Sequence, residues 1–287
     1  MLSLRARRRL FPYLLLGPGL VWLVVFYLVP SLTQAWVSLW SGSLEQGYTP
    51  SWAFHTYPDA LSGYGEQFLR SFWFAGLATV ACLVIAFPLA YYIAFKSRHK
   101  NMLLLLIVLP FFTSYLMRTI AWKTILSDDG VVVSVLKSLG ILGSDGRLLN
   151  TTFAVVAGIT YNFLPFMALP LYVSLEKIDR RLIEAATDLY ASRFTAFRKV
   201  TIPLALPGLF AGSLLTFIPA VGDFINAQLL GTSRQFMIGN VIQSKFLVVT
   251  DYPTAAALSF ILMIVIIVAV LIYARLLGTR SLTEAAL

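Results

Sequence analysis

Six long, mostly apolar runs constrain this 287-residue chain more than any other feature; they lie approximately over residues 11–39, 69–95, 102–126, 151–175, 207–230 and 254–277. A bilayer core about 30 Å thick is crossed by roughly 20 residues of helix, so each run is long enough to span it. The runs are continuous rather than alternating, which excludes a transmembrane β-barrel. The fold class expected is therefore an all-α polytopic membrane protein with six transmembrane helices. Composition agrees, since 59% of residues are hydrophobic and 12% charged, where a soluble domain carries about 25% charged residues. A two-domain soluble enzyme is excluded by the shortage of side chains to solvate it. Cys82, the single cysteine, lies inside an apolar run, rules out an intramolecular disulfide and reads as a small core residue. His55 and His99 stand in different polar loops without ligand spacing, so no metal site is expected.

The net charge of +9 is explained by topology once the basic residues are sorted by side. With the N-terminus inside, 15 of the 22 Lys and Arg fall on the inner face: Arg5, Arg7, Arg8 and Arg9, the cluster around residues 96–100, the loop between the fourth and fifth runs, Arg275 and Arg280. The excess of inner positive charge places both termini in the cytoplasm. The first run resembles a signal peptide at its start but outlasts a normal apolar core, and it is read as a retained helix. Residues 1–10 are then a cytoplasmic N-terminus, 11–277 the transmembrane domain and 278–287 a cytoplasmic tail.

Within the spans, Pro30, Pro88, Pro110, Pro165, Pro170 and Pro219 mark kinks, which membrane helices tolerate. Arg118 and Lys123 in the third run are expected to snorkel to the outer interface, because about 1.5 Å per residue from Met102 puts Arg118 roughly 24 Å across. Asp223 is the one acidic residue well inside a run. A carboxylate there normally faces a cavity or a partner, and two readings stand open: a counter-charge for a cationic cargo, with Asn226 one turn on, or a structural hydrogen bond. Tyr161 and Asn162 fall near mid-membrane, and Tyr115, Trp122, Tyr161 and Phe224 offer faces for cation–π contact or, equally, for helix packing. Asp128 and Asp129 with Gly130 form a polar turn outside the third run, able to attract cations or simply to be solvated.

The longest cytoplasmic stretch, residues 176–206, is patterned as two short helices. Leu182, Ala185, Ala186 and Leu189 repeat at helical spacing opposite Arg180, Arg181, Glu184 and Asp188, and Phe194, Phe197 and Val200 follow beside Arg193, Arg198 and Lys199. An amphipathic pair of this kind suits docking into another protein's groove or lying on lipid. Glu184-Ala185-Ala186, Val200 and Ile202-Pro203 match at every spacing the EAA signature of ATP-binding-cassette (ABC) importer permeases, which this chain resembles. One position departs: Tyr190 stands where that signature has glycine. A tyrosine held left-handed costs about 1–2 kcal/mol, so the first helix is expected to run through Tyr190 and turn near Ala191 and Ser192.

Beyond the loop, Leu109-Pro110-Phe111-Phe112-Thr113-Ser114 with Arg118-Thr119 and Ala121-Trp122 is similar to permeases of spermidine/putrescine importers of the PotB and PotH type. So are Tyr161–Phe166, Ser174–Asp179, Phe217–Phe224 and Ile238–Ile242. The resemblance implies a type I importer permease moved by alternating access. Its coupling residues would be Glu184, Ala185, Ala186, Asp188, Tyr190 and Arg193, and its substrate-path residues Asp223, Tyr161, Asn162, Trp122, Tyr115, Phe224 and Asn226. It also implies a second permease, two cytoplasmic ATPase subunits holding ATP and Mg, an extracytoplasmic solute-binding protein and a bacterial inner-membrane location. No GxxxxGK loop is present, so no ATP site is expected on this chain, nor catalytic chemistry of its own. The alternatives are an ABC permease for another small solute such as thiamine or an oxyanion, and a secondary transporter, which leaves the EAA spacing unexplained.

Overall fold

The computed structural model describes residues 15–275; the N-terminal arginine cluster, residues 1–10 and 278–287, Arg280 and the outermost ends of the first and sixth runs lie outside them. Among the described residues the chain is helical but for one hairpin. Helix α1 (Leu15–Val37) is followed by β1 (Trp40–Ser43) and β2 (Gly47–Pro50), then α2 (Thr56–Phe95), α3 (Lys100–Phe112), α4 (Tyr115–Leu126), α5 (Val131–Ser138), α6 (Thr152–Glu176) and α7 (Arg180–Asp188). The order continues with α8 (Arg193–Val221), α9 (Ile225–Leu230), α10 (Ile238–Leu247) and α11 (Tyr252–Tyr273). Among the described residues, five helices are long and apolar enough to cross a membrane, six if α3 and the helices after it are one broken span.

Contacts gather the chain into two units, one of residues up to Gly63 with Ile242–Met263 and one of Tyr64–Val241 with the residues from Ile264 on. In the first, the antiparallel hairpin pairs Trp40 with Pro50 and Ser43 with Gly47. Gly42 of β1 has φ +130°, and a Cβ there would strike the Gly47 carbonyl, so only glycine fits at this position of the hairpin. The Tyr48 hydroxyl donates to the Thr250 carbonyl, and its ring meets Tyr252 edge-on at 5.6 Å.

In the second unit the core rests on small residues. Ala78, Cys82, Ala86, Ala90 and Ala94 recur every fourth position of α2 and are all buried, forming a flat stripe that admits a neighbouring helix closely. Met167, Ala168, Leu171 and Leu175 of α6 pack on that stripe together with Ala205 of α8. Cys82 is the small core residue its position implied, and its thiol donates to the Thr160 carbonyl at 3.3 Å. Gly208 and Gly212 bring α8 against α6, where a Cβ on Gly208 would lie 2.5 Å from the Pro170 carbonyl oxygen.

Helix α2 begins at Thr56, well before the expected start near residue 69, and two further boundaries differ from the sequence expectation for physical reasons. The second short helix expected in residues 176–206 is the start of α8, which runs unbroken from Arg193 to Val221. Pro203 has no N–H to donate, and a π turn over Phe197–Thr201 absorbs the change of register instead of ending the helix. The fifth run then stops at Val221, and Gly222, Asp223 and Phe224 form a non-helical break before α9.

Candidate functional site: a polar network beside an aromatic cavity

The site begins at the break in the third run. Pro110 tightens Leu109–Phe112 into a 3-10 turn, Thr113 and Ser114 are extended, and the chain leaves in a direction 94° from the one in which it arrived. Counting rise along a straight helix therefore misplaces Arg118. It does not reach out to an interface but is buried, 7% exposed; Lys123, a turn further on, is exposed.

Helix α4 packs on α9 and α6 through polar side chains. The Tyr115 hydroxyl donates to Asp223 Oδ1 at 2.7 Å and accepts from Asn226 Nδ2 at 2.6 Å. Asp223 Oδ2 accepts from Asn226 Nδ2 at 3.0 Å and from the Asn226 backbone N–H at 3.2 Å, so the carboxylate also caps α9. Asn162 Nδ2 donates to Thr119 Oγ1 at 3.2 Å and to Asn226 Oδ1 at 3.3 Å. Asn226 thereby uses both amide hydrogens and its oxygen, leaving no unmet bond on the residue that links three helices. Gly158 keeps α6 close, since a Cβ there would come within 2.6 Å of Asn226 Oδ1.

Neither Arg118 nor Asp223 is in a salt bridge. The salt bridges among the described residues are Arg70–Glu66, Lys100–Glu176, Arg147–Asp128 and Lys245–Asp251. Asp223 is held by neutral donors alone. The Arg118 guanidinium lies over the rings of Phe111 and Tyr115, 5.2 Å and 5.6 Å from their centroids, and its Nε is buried without an acceptor. Asn162 Oδ1 is likewise buried without a donor. Arg118 and Asn162 line a cavity of ≈ 380 Å³ with Phe111, Tyr115, Phe163 and Phe166, among others.

Of the residues singled out from the sequence, Tyr115, Asn162, Asp223 and Asn226 are thus brought into one network. Trp122 and Tyr161 pair with each other, edge to face at 5.5 Å, while Phe224 contributes its carbonyl to Asn240 Nδ2 at 2.8 Å. Thr119, Phe163, Phe166 and Arg118 join the site without standing among the residues expected from the sequence. Thr119 follows Tyr115 by one turn and Phe166 follows Asn162 by one turn, a shared-face signal that was available in the spacing.

In the stretch between α6 and α8, Asp179 and Ser192 cap α7 and α8. Glu184, Ala185, Asp188 and Arg193 are exposed and Ala186 half-buried. Leu189 is 81% and Phe194 70% exposed, so these two apolar side chains are uncovered among the described residues. The loop is nevertheless tied to the bundle: the Arg180 guanidinium donates to the Ala94 carbonyl at 3.3 Å, and Phe197 meets Phe87 and Tyr91 edge-on. The expected continuation of α7 through Tyr190 is wrong. The helix ends at Asp188, and Tyr190 is left-handed with φ +63°. Its N–H reaches the Thr187 carbonyl at 3.0 Å and that of Ala191 reaches Ala186 at 3.1 Å, a Schellman ending. Two carbonyls at the helix end gain partners this way, and the ring, 100% exposed, meets nothing that opposes the conformation.

Residues 86–280 match the family described as binding-protein-dependent transport system inner membrane component. The chain is 38% identical to the spermidine/putrescine transport system permease protein PotB of Haemophilus influenzae, over 88% of this chain and 90% of that one. With the PotB protein of Escherichia coli it shares 39% identity over 88% and 93%. Its fold matches the crystal structure of a bacterial alginate ABC transporter in complex with an alginate pentasaccharide-bound periplasmic protein, with TM-score 0.70 and 18% identity over 95% and 96%.

Proposed function

Since the chain belongs to the family of binding-protein-dependent transport system inner membrane components, we propose that it is the permease subunit of an ATP-driven importer for polyamines such as spermidine and putrescine. It sits in the inner membrane as a multi-pass protein with both termini in the cytoplasm. A second homologous permease completes the path, an extracytoplasmic protein delivers the cargo, and two cytoplasmic ATPase subunits hold ATP and Mg. The exposed face of α7, with Glu184, Asp188, Leu189 and Tyr190, docks in the ATPase. Closure of the ATPase pair moves that face, and the contacts of Arg180 and Phe197 with α2 carry the movement into the bundle, which alternates between outward-open and inward-open states.

The choice of cargo has independent support in Asp223. A buried carboxylate in no salt bridge favours a positively charged visitor, and an ammonium group both pairs with it and stacks on aromatic faces. Tyr115 and Asn226 hold this acceptor, and Asn162 extends the network through Asn226. Asp223→Asn is expected to lower spermidine uptake, normalised to assembled complex, by roughly tenfold to a hundredfold, the equivalent of a charged hydrogen bond of about 1.5–3 kcal/mol. Asp223→Glu keeps the charge and is expected to retain more. The opposite order, Asn active and Glu inactive, would make Asp223 a structural cap and withdraw this support for a cationic cargo.

A further inference from the structure

We propose that the guanidinium of Arg118 is a tethered stand-in for the cargo: it fills the aromatic box that receives an ammonium group, and it leaves when the cargo enters. This inference rests on the cationic-cargo reading above. Phe111 meets Phe166 at 5.2 Å, Phe166 meets Phe163 at 6.0 Å, and Phe163 meets Tyr115 at 6.1 Å, so four rings form a continuous wall. The Arg118 guanidinium lies against the first and last of them. A cation settled on ring faces, with a buried Nε that finds no acceptor and no carboxylate in an ion pair with it, is held by the same forces that hold an ammonium ligand.

Three features make the position exchangeable rather than structural. The box opens on the ≈ 380 Å³ cavity. Asn162 Oδ1 lines it as a buried acceptor without a donor, suited to the N–H of an incoming ammonium. Tyr115 carries Arg118 on its ring face and Asp223 on its hydroxyl, so a cation replacing the guanidinium arrives one residue from the carboxylate. Two cations do not share one box, because like charges at contact repel strongly where water is scarce. Entry of cargo therefore expels Arg118, and the extended Thr113–Ser114 link lets α4 follow it. An empty path stays plugged, which discourages leakage of other cations.

The test is equilibrium binding of radiolabelled spermidine to the purified permease–ATPase complex without binding protein. Arg118→Met and Arg118→Gln are expected to bind spermidine about tenfold tighter than wild type, the factor by which a box filled nine-tenths of the time by its own side chain weakens apparent affinity. Arg118→Lys, which keeps a cation, should stay within about threefold of wild type on the same reasoning. Methylguanidinium should compete with spermidine in Arg118→Gln. Equal or weaker binding by the assembled Met and Gln variants overturns the proposal. Arginine-directed butanedione labelling of wild-type complex, read by mass spectrometry, decides the matter without a variant: labelling of Arg118 should rise with saturating spermidine, and protection contradicts the displacement. If wild type neither binds nor transports spermidine, the cargo reading fails instead, and this outcome is distinct from normal transport with unchanged Arg118 variants.

Discussion

Replacing Tyr190 by glycine separates backbone from side chain at the point where this chain departs from the EAA signature. Tyr190 is held at φ +63°, a conformation that disfavours a residue with a Cβ by about 1–2 kcal/mol. Glycine relieves that strain but gains about 0.5–1 kcal/mol of freedom in the unfolded chain. The difference leaves the turn between unchanged and about 1.5 kcal/mol more stable. No burial is lost on the chain itself, because the ring is fully exposed, and both hydrogen bonds of the Schellman ending are made by the backbone. The expected outcome is normal expression, a melting temperature of the assembled complex equal to or above wild type, and uptake within about twofold. A tenfold loss of uptake with normal expression corresponds to about 1.4 kcal/mol of lost coupling. It would refute the backbone account and identify the ring as an anchor in the ATPase groove.

Glu184→Lys reverses a charge on the exposed face of α7 and should sharply reduce both ATPase co-purification and uptake while the protein remains in the membrane; normal uptake removes Glu184 from the docking face. Gly158→Ala drives a methyl group into Leu230 and Asn226 Oδ1, and overpacking of this kind costs about 1–3 kcal/mol. Lowered thermal stability with weakened uptake is expected, and unaltered behaviour of both would show that Asn226 does not depend on this close approach.

Much of the fold is legible because the membrane imposes a simple length rule and the α7 region a clear period. Span four and the existence of a short helix at α7 follow from those patterns. The errors share a cause: local chemistry that a hydropathy run does not register. Pro110 in an apolar run is compatible with a kinked straight span, and only the extended Thr113–Ser114 pair turns it through 94° and buries Arg118. Pro203 and Pro207 suggest a boundary, yet the π turn carries α8 past them. Asp223 was placed within a helix, whereas Gly222 ends that helix and leaves the carboxylate to cap the next. The hairpin at Trp40–Pro50 has no alternating apolar pattern to announce it, only glycines at its turn. At Tyr190 an intrinsic conformational preference was outweighed by two backbone hydrogen bonds, a contest that the residue type alone does not reveal.

The central claim is that this chain forms the path of an ATP-driven polyamine importer. Its most direct test is uptake of radiolabelled spermidine into proteoliposomes containing the complex that co-purifies with this chain from its native membrane. The binding protein is supplied on one side and ATP with Mg on the ATPase side. The account predicts saturable accumulation that requires ATP and the binding protein, and that unlabelled putrescine or spermidine suppresses while thiamine and oxyanions do not. Accumulation of spermidine without ATP, or ATP-driven uptake of another solute with none of either polyamine, would contradict it.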